Sequence, residues 1–133
     1  MKLEKMKSYV NENLNEDDVL IGYFWSMEAI KIWLFMLIGP FAAFSMKFYV
    51  VAVSEKGLYF HRINFLEKFA DTDFFTYEEI ETLALSKGML NALLKFHFVN
   101  GRKLKLKSPL KGKNAIISTE IQTFLLEKLP RPE

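Results

Sequence analysis

Either side of Asn100-Gly101 the apolar residues recur at every second position. Leu94, Phe96 and Phe98 share one face of the first arm, and Leu104 and Leu106 resume that face on the second. A two-residue period turns one face of a strand toward a core. Asn-Gly between two such runs is a strong hairpin signal, expected here as a type I′ turn. The opposite face of the second arm carries Lys103, Lys105 and Lys107, and Pro109 ends it. A lone hairpin cannot bury that face, so further elements have to cover it.

The remainder of the sequence supplies them. Residues 48–53 are β-branched and aromatic, Ser54-Glu55-Lys56-Gly57 makes a turn, and residues 58–63 return as the second arm. The final glycine of that turn suits a left-handed position. Residues 64–70 read as a connection, residues 72–76 and 80–86 as two more strands, and Lys87-Gly88 as the turn that follows. Residues 19–25 form an earlier strand, apolar on both faces. Two segments have helical spacing instead: Leu3, Met6, Val10 and Leu14 near the start, and Ile117, Ile121, Phe124, Leu125 and Leu129 before Pro130, with Asn114 as the expected N-cap. The expectation is one domain over residues 1–133, mainly β (α+β). About seven antiparallel strands form a strongly bent sheet or partly open barrel. A C-terminal helix over 114–129 caps it, and a short helix occupies 1–14.

Composition removes much chemistry. There is no cysteine, which excludes disulfides, Cys-based zinc sites, iron–sulfur clusters and thiol catalysis. The two histidines, His61 and His97, are expected to fill sheet positions, and no His-x-x-x-His pair, Ser/His/Asp order or phosphate-cradling glycine loop is present. Asp71 and Asp73 could share a face, with Glu78 and Glu79 nearby, but they sit at a strand start and a turn, where acids commonly stay solvated. No catalytic residue, metal site or cofactor is expected, and the chain is not read as an enzyme. Residues 1–18 are charged and lack an apolar core of a signal peptide, so a cytoplasmic location is expected.

The net charge of +2 conceals an uneven distribution. Residues 82–119 hold none of the 16 acids and eight of the 18 bases. That third of the chain should carry a positive field. Lys103, Lys105 and Lys107, with Arg102 beside them, are the candidate contact for an anionic surface. A solvated outer face, or lysines guarding a strand edge, is the plainer account of the same residues. Phe96 and Phe98 interleave with Lys95 and His97, but the phenylalanines share the face of Leu94, and the pattern of an RNA-stacking strand is missing. No nucleic-acid partner is expected.

Between the first two strands, residues 26–47 form an apolar insertion whose core, residues 32–44, is thirteen residues without a charge. A bilayer-spanning helix needs about 20 apolar residues, and this run is shorter, is broken by Gly39-Pro40 and is flanked by Lys31 and Lys47. It can cap the barrel as ordinary core, bury itself against a second copy, or enter the headgroup region as a peripheral wedge. Trp33, Leu34, Phe35 and Phe41 are the candidate contacts for membrane or subunit.

The order of parts resembles a family. Tyr49-Val50-Val51-Ala52-Val53-Ser54-Glu55-Lys56-Gly57-Leu58-Tyr59-Phe60-His61-Arg62 looks like the second and third strands of bacterial pleckstrin-homology-like (PH-like) domains. Asp73-Phe74-Phe75-Thr76-Tyr77-Glu78-Glu79-Ile80-Glu81 and Phe96-His97-Phe98-Val99-Asn100-Gly101-Arg102-Lys103-Leu104 resemble its central strands and last hairpin. These motifs are structural. The resemblance implies a non-enzymatic module that binds lipid headgroups, peptides or copies of itself. The clustered bases that grip inositol phosphates in the eukaryotic branch have no counterpart, since the matching region holds only Lys31 and Lys47. Phe124 stands where that branch carries a helix tryptophan. The resulting expectation is a binding or assembly module. An anionic lipid surface or a protein is its partner, the membrane being reached through the apolar segment and the basic strand. The alternative is a self-associating cytoplasmic scaffold, a homo-oligomer whose apolar segment forms the subunit interface.

Overall fold

A computed structural model describes residues 1–29, 36–37, 47–64 and 66–133. Trp33, Leu34, Phe35 and Phe41 lie outside these residues. Among those described, the order is helix α1 (Leu3–Glu12), strands β1 (Leu20–Glu28), β2 (Phe48–Ser54), β3 (Gly57–Ile63) and β4 (Phe69–Thr76), a 3₁₀ turn (Tyr77–Glu79), strands β5 (Ile80–Lys87), β6 (Asn91–Phe98) and β7 (Lys103–Pro109), and helix α2 (Thr119–Lys128). The seven strands form one antiparallel sheet in the order β4-β3-β2-β1-β7-β6-β5, with β4 and β5 as unjoined edges. The expected mainly-β architecture, bent, open and flanked by two helices, is the architecture found. No helix among the described residues is long and apolar enough to cross a membrane.

The bend has a local cause. β1 pairs with β2 over nearly its whole length but with β7 only at Met27 and Glu28. Earlier in β1 the two strands part, and the Trp25 N–H donates instead to the Ala115 carbonyl at 2.8 Å. The halves of the sheet then fold face to face. Phe24, Val51 and Phe60 of one half meet Leu94, Phe96 and Leu106 of the other, and Ile121 and Leu125 of α2 seal the gap. Fully burying one such side chain contributes about 1.5–3 kcal/mol.

The outer face of the first half is covered by α1. Met6 and Val10, one turn apart, are fully buried against Val50, Ala52 and Tyr59. Tyr9 of the same helix stacks on Phe69 with ring centroids 3.7 Å apart.

Five boundaries and turns differ from the sequence reading. β4 starts at Phe69, inside the stretch read as a connection, because Phe69 pairs with Ile63 of β3. β1 runs on to Glu28, because Met27 and Glu28 find partners on β7. The last helix starts at Thr119 rather than 114: Ser118 is its N-cap, accepting from the Ile121 N–H at 3.2 Å. Asn114 does not cap it, since Ala115 and Ile117 are drawn into hydrogen bonds with Trp25 and Pro109. The Asn100-Gly101 turn is not type I′, which needs positive φ at both residues. Only Gly101 has it (φ 90), and its N–H donates to the Phe98 carbonyl, giving a three-residue loop with a bulge. Gly57 does not occupy a left-handed position either. Its requirement is space: a Cβ there would stand 2.1 Å from the Phe75 carbonyl oxygen, where β3 and β4 meet.

Candidate functional site

Alternation along β7 leaves Lys103, Lys105 and Lys107 exposed while Leu106 is buried and Leu104 half-buried. Arg102 is exposed at the hairpin, its N–H held by the Asn100 side-chain oxygen at 2.9 Å. Register adds two residues to this face: Lys95 stands directly opposite Lys105, and His97 opposite Lys103. Like charges directly opposite on a sheet destabilise it, by roughly 0.2–1 kcal/mol per pair. No ion pair among the described residues relieves this one. The pairs present join the Met1 amino group to Glu67 and Arg62 to Asp71.

Both ends of the apolar insertion are fixed beside these lysines. The Ala29 N–H donates to the Lys105 carbonyl at 2.9 Å, and the Glu28 N–H donates to the Lys47 carbonyl at 2.8 Å. The insertion therefore leaves the sheet next to the middle of the basic strand. Within it, Met36 and Leu37 are 84% and 72% exposed. A groove of about 380 Å³ opens between Glu28, Ala29, Lys95, His97, Lys103 and Lys105.

The acids singled out in the sequence do not converge. Asp71 is engaged by Arg62 across the β3–β4 edge. Glu79 accepts from the Thr76 N–H at 3.1 Å and caps its own turn. Asp73 lies exposed on β4. No group of three or more His, Asp or Glu among the described residues could hold a metal. His97 is half-buried on β6. His61 is fully buried on β3, with Nδ1 2.7 Å from the Thr72 hydroxyl and Nε2 without a partner among the described residues. Burial pulls its pKa down to about 4.

One polar cluster escaped the sequence reading. Asp18 closes the break after α1 and is nearly buried. Its Oδ2 accepts from the Ser54 hydroxyl at 2.6 Å and the Tyr59 hydroxyl at 2.7 Å, and its Oδ1 from the N–H groups of Val19 and Lys56. Burial pushes the carboxyl up, but these four bonds outweigh it and hold the pKa below the ordinary value. Burial, with Asp18 adjoining, pushes the Tyr59 hydroxyl up to about 12. Burial followed by the Asp18 charge also raises the Tyr77 hydroxyl, which donates to the Ser54 carbonyl. The cluster ties the α1–β1 connection to the β2–β3 turn. Its chemistry is that of a clamp, with every acceptor filled by a donor from the chain itself.

Comparison with known proteins places the fold. No family model matches the chain, and no curated protein matches it. Among solved structures it is similar to the hSac2 domain from human phosphoinositide phosphatase Sac2, with a TM-score of 0.58 at 11% identity, over 94% of this chain and 76% of that one. At that identity the likeness shows the fold alone.

Proposed function

We propose that this chain is a non-enzymatic, PH-like binding module that attaches peripherally to an anionic membrane surface. The observation that carries the reading is the Ala29 to Lys105 hydrogen bond, which roots the apolar insertion beside a row of exposed lysines. Stable peripheral attachment generally takes two signals, an apolar one and a basic one. Here the two leave the sheet at one place. Lys103, Lys105 and Lys107 supply attraction, with Arg102 and Lys95 adding to it, and the insertion carrying Trp33, Leu34, Phe35 and Phe41 supplies apolar contact.

Each lysine close to an anionic surface contributes about 1 kcal/mol. Replacing Lys103, Lys105 and Lys107 by Gln should therefore weaken binding roughly a hundredfold. Sedimentation with phosphatidylcholine vesicles, with and without phosphatidylserine, reads this directly. The wild type should pellet with the anionic vesicles, less so at high salt, and the triple variant should stay in solution. Equal partitioning of both proteins on both vesicles would overturn the reading.

The exposure of Met36 and Leu37 also favours a second reading, a scaffold whose copies cover each other's insertions. Light scattering separates the two. A concentration-dependent dimer, with no vesicle binding, supports the scaffold, and a monomer at all concentrations dismisses it.

A further inference from the structure

The turn between β5 and β6 has an unusual division between backbone and side chains. Its backbone is fixed at both ends: the Gly88 N–H donates to the Asn91 carbonyl at 2.8 Å, and the Leu110 N–H donates to the Leu90 carbonyl at 2.9 Å. Its two apolar side chains are nonetheless turned out, Met89 at 89% and Leu90 at 64% exposure. Turn tips ordinarily carry Gly, Pro, Asn, Asp or Ser. A pinned turn that projects two large apolar groups has already lost the backbone freedom that insertion would otherwise have to remove.

What surrounds the tip identifies its partner. A groove of about 510 Å³ beside it is lined by Lys87, Lys105 and Lys107, by Leu93, and by Ala29, the root of the apolar insertion. No acid among the described residues lines this groove, and none occurs in the sequence between residues 82 and 119. Two exposed apolar residues ringed by lysines match the boundary of an anionic bilayer, where apolar groups enter the acyl region and cations stay among the headgroups. A protein partner would equally cover Met89 and Leu90. An acidic, amphipathic surface is what the lysines select, and a bilayer presents one without any requirement of shape.

We infer that the β5–β6 turn is a membrane-contact element: Met89 and Leu90 enter an anionic bilayer while Lys87, Lys105 and Lys107 rest on its charged surface. This rests on the peripheral-membrane reading, shares Lys105 and Lys107 with it, and adds Met89, Leu90 and Lys87, which that reading did not use. It also sets the orientation, with the outer face of β6 and β7 toward the lipid and α1 away from it.

The absence of cysteine permits a clean test. M89C carrying a nitrobenzoxadiazole label reports the polarity around that one position, and D73C, on the exposed part of β4, serves as the distant control. On vesicles of phosphatidylcholine with phosphatidylserine, the label at 89 should brighten and shift to the blue while the label at 73 stays aqueous. An unlabelled M89E/L90E variant, checked for an unchanged unfolding midpoint, should bind these vesicles at least tenfold more weakly than wild type. Should wild type bind while the label at 89 stays aqueous and M89E/L90E binds as well as wild type, the inference fails and the peripheral-membrane reading stands. Complete absence of wild-type binding removes both. A label that shifts with protein concentration alone, before any lipid is added, assigns the turn to contact between copies and overturns the bilayer assignment.

Discussion

Acidification should destabilise this protein well before its carboxylates protonate, and His61 is the reason. The ring is fully buried under α1, edge-on to Tyr9 with centroids 5.1 Å apart, and its Nε2 has no partner among the described residues. A charge placed there would have no water and no nearby acceptor for the second N–H, so burial lowers the pKa from 6.5 to about 4. A folded-state pKa below the unfolded one means that the unfolded chain binds the proton first. The His61 contribution is therefore nil above about pH 7, lowers stability as pH drops through 6.5, and is complete below the folded value near 4. At about 1.36 kcal/mol per unit, the full loss is about 3 kcal/mol, of which about 2 kcal/mol appears between pH 7 and pH 5. Urea unfolding at half-unit steps across that interval measures it. H61F keeps an aromatic ring in the site and removes the titration, so its stability should change little over the same interval. A wild-type profile that is flat from pH 7 to 5, or an H61F profile as steep as wild type, would refute the assignment.

Other substitutions test how the sheet is held together. L125A removes a fully buried side chain from the seam between the sheet halves and should cost about 2–5 kcal/mol in denaturant unfolding. G57A pushes a methyl into the Phe75 carbonyl and should cost about 1–3 kcal/mol, with the faster amide exchange confined to β3 and β4. Y59F leaves Asp18 without one of its donors and the Asn15 N–H without its acceptor. A loss of about 1.5–3 kcal/mol at neutral pH is expected, shrinking as Asp18 is protonated in acid.

The parts of the fold legible in the sequence were those written in local alternation. Leu94, Phe96 and Phe98 could take one face of a strand only, and the hairpins that join β2 to β3 and β6 to β7 follow from neighbours a few residues apart. The partnership of β1 with β7 was not legible. It joins Met27 to Lys107 across most of the chain, and nothing near either residue announces it. Asp18 was hidden for a related reason. It ends a run of four polar residues, and which of them turns inward is decided by Ser54 and Tyr59, far away in sequence. Lys95 was hidden by the turn: a two-residue Asn-Gly turn would have set it against Leu106, and the bulge at Gly101 shifts the register so that it faces Lys105. Met89 and Leu90 follow the Lys87-Gly88 turn signal, and nothing in the sequence sets them apart. Only the pinned backbone and the exposed side chains distinguish them.

The two halves of the outer face are treated oppositely, and the difference can be weighed. On the first half α1 buries Met6 and Val10 over the sheet, whereas on the second half no helix among the described residues packs over Lys95, which is set against Lys105. Stability by itself would favour an acid at one of these positions, because an opposite-charge pair directly across a sheet contributes roughly 0.2–1 kcal/mol where a like pair subtracts from it. K95E should therefore raise the unfolding free energy of the isolated protein by about 1 kcal/mol at low salt, with the gain fading as salt screens the pair. On the proposed function the same change should weaken binding to anionic vesicles several-fold or more, since it replaces an attracted charge by a repelled one. Wild type, by contrast, should unfold at a higher temperature when anionic vesicles are added, because a surface that binds only the folded state stabilises it by mass action. A variant that is more stable alone and gains nothing from the vesicles would show that the opposed lysines are kept for contact at a cost to the fold. A variant that is more stable alone and binds the vesicles as wild type does would leave the lysines as an ordinary solvated face.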